Sequence, residues 1–225
     1  MTRSRPLLLL VVASASLLPA CTPKNALRMA IEVVSEPDAA IVSFKGKDVG
    51  TTPASLRVKT FDELMTIAAR KDDAPVAEKR IRILSPDHAQ LVFRFGAEPS
   101  EVAKRLGLAR VVVFDYSEKV SFDVSRSELK PEGLPILDRQ AEILARYFPD
   151  VDVYVCGHTD ATGGDDFNLQ LSVDRARVVA DRLSGKGVPP GRLKVQGFGK
   201  EFPNDTNETP AGRANNRRTE LILPQ

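Results

Sequence analysis

The sequence predicts an α+β protein: a two-layer sandwich of order β-α-β-α-β-β in its second half, preceded by a small all-β domain. Three observations predict it. Leu134, Leu137, Ala141, Leu144 and Phe148 recur at three- and four-residue steps, the period of a helix with one buried face. Residues 151–177 pass from two-residue alternation through a glycine-punctuated loop into a second helical pattern. Between 30 and 95 short alternating runs are separated by turn residues, as in a β-rich module.

The chain opens as an address. Arg3 and Arg5 precede the apolar run Leu7 to Leu18, which is signal-peptide length and too short to span a bilayer. Leu18-Pro19-Ala20-Cys21 resembles a bacterial lipobox, which implies cleavage after residue 20, lipidation of Cys21 and a lipidated tether over 21–29. Thr22, where lipoproteins retained in the inner membrane tend to carry Asp, implies the outer membrane. The full chain has 32 basic and 30 acidic residues; residues 1–20 hold two arginines and no acid, so cleavage leaves 30 of each. A neutral protein lacks the basic footprint of nonspecific nucleic-acid binding. Cys156, in a predicted strand, is expected to be a buried small hydrophobe, with a Cys21–Cys156 disulfide the less favoured alternative.

From Ala30 the chain turns β-like. Ile31 and Val33, then Ile41, Val42 and Phe44, mark two strands parted by Ser35-Glu36-Pro37-Asp38-Ala39. Gly46-Lys47 suits a hairpin, Val49 to Pro53 a further turn, and Leu56 to Val58 the next strand. These turn patterns resemble the PEGA domain, a small β module, assigned to 30–95. Lys79 to Leu84 and Gln90 to Phe95 alternate as half-buried strands around the turn Ser85 to His88. Residues 96–108 read as a linker with a short helix from Glu101 to Gly107.

The second domain is expected over 109–225. Arg110 to Phe114 is a strand, and Lys119 to Phe122 continues the pairing. Pro131 or Pro135 suits the first turn of the following helix, and Pro149 stops it. Val151, Val153 and Val155 alternate as a strand; Asp165 or Asp166 is suited to cap the next helix, whose stripe is Ala176, Val179, Ala180 and Leu183. Arg192 to Gly197 and Arg218 to Leu223 are the last strands, with a helical turn over Pro210 to Asn215.

Gly157-His158-Thr159-Asp160, then Phe167-Asn168-Leu169-Gln170-Leu171-Ser172-Val173-Asp174-Arg175-Ala176, then Gly212 to Glu220 resemble the OmpA C-terminal-like family of Pal and MotB, over roughly 109–223. The resemblance implies noncovalent binding of peptidoglycan at the diaminopimelate of its stem peptide. Asp160 would accept from the ligand's ammonium and Arg175 pair with its carboxylate. Asn168, Arg217 and Asp123 fall on further positions lining that site. Read without the resemblance, Asp160 suits a loop Asx-turn and Arg175 a side chain snorkelling from the edge of an apolar stripe.

No enzyme is expected. There are two histidines, His88 and His158, in different predicted domains, and no triad order or metal-ligand spacing; His158 is expected to orient its loop by hydrogen bonding. No cofactor is implied. The expected partners are peptidoglycan and, through the lipid, the outer membrane. The alternative is an envelope scaffold, or a secretion or motility accessory protein, whose β module grips a protein partner.

Overall fold

The computed structural model describes residues 26–85, 87–117 and 125–225. Its main element is one eight-stranded mixed sheet of order β10-β9-β11-β8-β6-β7-β1-β4. The strands are β1 (Ala26–Glu36), β4 (Ala54–Thr60), β6 (Val76–Ser85), β7 (His88–Phe95), β8 (Val111–Ser117), β9 (Val153–Gly157), β10 (Leu193–Gly197) and β11 (Arg218–Pro224). A second sheet of three strands, β2 (Ile41–Phe44), β3 (Lys47–Thr51) and β5 (Ala68–Arg70), completes the β structure. Helices α1 (Phe61–Met65), α2 (Glu101–Arg105), α3 (Leu134–Tyr147), α4 (Asp165–Gly185) and α5 (Pro210–Asn216) complete the chain, with one 3₁₀ turn at Pro190–Arg192.

The second half has the expected order β8-α3-β9-α4-β10-β11. Strand β11 lies between β8 and β9, antiparallel to both, and β10 pairs parallel with β9. The two-residue period sorts side chains onto two faces. Val112, Phe114, Val153, Val155, Leu221 and Leu223 share one core with Leu137, Ala141 and Leu144 of α3 and Ala176, Val179 and Leu183 of α4. Both long helices cover this face. Val111, Val113, Cys156 and Ile222 face the other way, where Val102 and Ala103 of α2 pack on them. Cys156 is buried and free, as a small hydrophobe would be.

Strands β6 and β8 pair in parallel from Glu78↔Val111 to Ile83↔Tyr116. Hydrogen bonding therefore runs from the first half into the second. The helix expected in 101–107 is α2, and it lies on the sheet that crosses this junction.

Several expectations are corrected. β1 starts at Ala26, inside the segment expected to be a tether. The turn expected over Val49 to Pro53 is largely strand β3, whose five residues are all exposed and so show no apolar alternation. Helix α1 and strand β5 were not expected; Thr60 caps α1 by accepting from the Glu63 N–H. The residue capping α4 is Gly164, while Asp165 and Asp166 occupy its first turn, where their charge favours the positive end of the helix dipole. Cys21, Asp123 and the pairing expected over 119–122 lie outside the described residues.

Candidate functional site

The carboxyl ends of β9 and β10 stand close under α4 because two glycines permit it. Gly157 and Gly197 are register partners. A Cβ on Gly157 would lie 2.0 Å from the Ser172 carbonyl oxygen, and one on Gly197 would lie 2.4 Å from Val173 Cγ2. Ser172 Oγ donates to Leu169 O and accepts from the Gly199 N–H at 2.9 Å. Gly199 O in turn accepts from the Thr159 N–H. The start of α4 is thus fixed to the loop that leaves β9.

Four of the five residues implied by the family resemblance converge there. Asp160, Asn168, Arg175 and Arg217 line one pocket of about 350 Å³, with Thr159, Thr162, Phe167, Leu171, Ser125 and Arg213. Asp160 forms the loop turn considered for it and pairs with Arg217. Its Oδ1 accepts from the Thr162 N–H at 2.8 Å, an Asx-turn, and its Oδ2 accepts from Arg217 Nη1 at 2.7 Å. Burial opposes its ionisation, but the Arg217 and Thr162 hydrogen bonds outweigh that and hold the carboxyl below its usual range.

Arg175 is 1% exposed, so it does not snorkel; its Nε donates to Arg126 O at 2.9 Å. Asn168 is buried and donates from Nδ2 to Thr162 O, bracing the loop over the helix start. His158 lies inside the fold, next to the pocket's Thr159. Its ring is fully buried and stacked on Phe198 with centroids 5.5 Å apart, and it is the backbone N–H that bonds to Arg218 O. Burial, aided by the nearby Arg218 charge, pushes the imidazole down to about 3, so it is neutral.

A third arginine was missed. Arg213 lies on α5, four residues before the C-cap Arg217, and its Nη1 donates to the carbonyls of Asn207 and Glu208. Arg213 falls inside the helical turn expected over Pro210 to Asn215, so its place was legible in the sequence, whereas Arg217 lies just past the helix end. Three guanidinium groups and one carboxylate among the described residues suit a ligand with at least one carboxylate and a cationic group beside it. Among those residues no group of three or more His, Cys, Asp or Glu is placed to hold a metal, and no helix is long and apolar enough to cross a membrane.

Known proteins resemble this half of the chain. The probable lipoprotein YiaD of Escherichia coli K12 is 41% identical over 50% of this chain and 51% of its own length. The peptidoglycan-binding protein ArfA of Mycobacterium tuberculosis H37Rv is 38% identical over 46% of this chain and 32% of its own. The chain thus accounts for about half or less of the length of these relatives. Among solved structures, the peptidoglycan-associated lipoprotein of Burkholderia pseudomallei is similar over 46% of this chain and 86% of its own, with 29% identity and a TM-score of 0.43. The OmpA family model matches residues 121–217. Residues 121–217 of this chain are an OmpA-like domain.

Proposed function

We propose that the protein is a lipid-anchored, periplasm-facing outer-membrane protein that binds peptidoglycan noncovalently and ties the membrane to the wall. Within this reading Asp160 takes the ammonium of the stem-peptide diaminopimelate. Arg175 pairs with its carboxylate, and Asn168 and Arg217 hold the pocket in shape. The observation that carries it is the convergence of Asp160, Asn168, Arg175 and Arg217 on one pocket from three separate stretches of chain. The name of ArfA, a peptidoglycan-binding relative, supports it. The pocket has the makings of a binding site rather than a catalytic one: its histidine neighbour is buried, neutral and stacked.

Each desolvated charge-assisted contact contributes on the order of 1.5–3 kcal/mol. Two or three of them, less the cost of association, suit affinity of about micromolar order. Modest affinity suffices, because a membrane anchor and a repeating polymer raise the effective concentration.

The test is cosedimentation with purified sacculi. Asp160→Asn and Arg175→Lys each keep the size of the side chain while removing a charge or a planar fork. Each is expected to weaken pelleting by roughly tenfold or more, the worth of one charge-assisted hydrogen bond. Wild-type pelleting by both variants would refute the site.

A further inference from the structure

A cluster of six charged side chains lies where β6 meets β8 and β11. Arg80 of β6, only 7% exposed, donates from Nε to Glu78 at 2.7 Å and from Nη1 to Glu220 at 2.8 Å and Asp115 at 3.2 Å. Glu220 is fully buried and also accepts from Arg218 Nε at 2.6 Å. Arg82 reaches Asp115 at 3.4 Å. The signs balance only across the junction. The first half supplies Arg80, Arg82 and Glu78, a net positive charge. The second supplies Arg218, Asp115 and Glu220, a net negative one.

This cluster holds the backbone that carries the pocket. Arg218 follows Arg217 in the chain; its Nη2 donates to Phe202 O at 3.0 Å, and its own carbonyl accepts from the His158 N–H. Asp115 Oδ2 accepts from Asn204 Nδ2. Asn204 and Asp205 both donate their N–H groups to Asn216 Oδ1, and Asn216 Nδ2 donates to Asn207 Oδ1. Asn207 Oδ1 also accepts from the N–H of Ala161, the residue after Asp160. Each side of the Asp160–Arg217 pair is therefore connected to the buried charges by short, defined steps.

We infer that Arg80, from the half of the chain outside the OmpA-like domain, is a positioning residue for the pocket: by balancing Glu220 and Asp115 it fixes the 198–207 loop and the Arg217 backbone. The inference rests on reading the pocket as a ligand site. Removing one member of such a cluster leaves a buried charge uncompensated, whereas removing an opposite pair together restores the balance.

The test uses the full mature chain and three forms: wild type, Arg80→Met, and Arg80→Met with Glu220→Gln. Arg80→Met is expected to bind sacculi about tenfold more weakly, in line with mutations that act through a packed network. The double variant is expected to recover most of that loss. Amide hydrogen exchange without ligand gives a second readout: exchange at Ala161, Asn204 and Asp205 should accelerate in Arg80→Met and slow again in the double variant. Wild-type binding and exchange in Arg80→Met, or a double variant no better than the single, would overturn the inference. If Arg80→Met does not fold, recovery of folding and binding in the double variant supports the inference, and a folded double variant with fast exchange at Ala161 overturns it. Failure of wild type to bind sacculi would instead count against the proposed function, and the exchange data would still decide the role of Arg80.

Discussion

At the scale of single residues, His158 shows how burial sets a side chain's chemistry. Its ring has exchanged water for Phe198, and its pKa falls to about 3. The unfolded chain, with an ordinary imidazole, binds a proton below about 6.5 that the folded protein refuses. Stability is therefore fully present above that pH and is lost as pH falls toward 3. The loss by pH 4.5 is about 2–3 kcal/mol from this residue. His158→Phe keeps a ring against Phe198 and removes the titration. Urea melts at pH 7 and 4.5 should show a smaller acid loss in the variant by about that amount; an equal loss would show that His158 does not contribute to it. The motif made His158 visible in the sequence, but not its complete burial. An imidazole beside an aspartate suggests polar work, and the stacking on Phe198 emerges only once β9 and the loop after β10 are brought together.

At the scale of elements, the approach of α4 to β9 and β10 decides where Asn168 and Arg175 stand. Gly157→Ala would drive a Cβ into the Ser172 carbonyl, a backbone atom with little room to yield. The expected cost is at least about 3 kcal/mol, the upper part of the overpacking range. Gly164→Ala, with nothing within 4 Å of the added methyl, should change stability by less than about 1 kcal/mol. Chemical denaturation of the two variants side by side checks this, and similar behaviour would refute the close-approach account. The helices α3 and α4 were legible because each buries a stripe and so needs periodic apolar residues. Strand β3 was not, because it buries none of its side chains. The surroundings of Arg217 were only partly legible: Arg213 lies in the expected helical turn just before it, whereas the Asp160–Arg217 contact joins residues 57 positions apart and depends on β11 entering between β8 and β9.

At the scale of the whole molecule, the two halves share one sheet. Residues 30–95 and 109–225 read as separate modules because composition and turn residues change near 96, and local signals cannot report a pairing between distant strands. That pairing carries buried ions with it, so a fragment beginning at residue 96 exposes the β8 edge and keeps Asp115 and Glu220 without Arg80. Thermal melts should find the fragment less stable than a chain that keeps residues 26–225 by roughly 3 kcal/mol or more, or unfolded, as expected for a broken buried pair. Equal stability would show that the junction contributes nothing.

The balance of charge across β6 and β8 also bears on how such a chain is inherited. A domain whose interior is electrically complete can be spliced behind any leader. This one carries an internal debt of one positive charge, settled by a strand encoded some 140 residues upstream of Glu220. A recombination that exchanged the first half for another module would strand an anion in the interior unless the newcomer brought an arginine to the same register or Glu220 changed with it. A change at Arg80 or Glu220 should therefore be tolerated chiefly in company with the other.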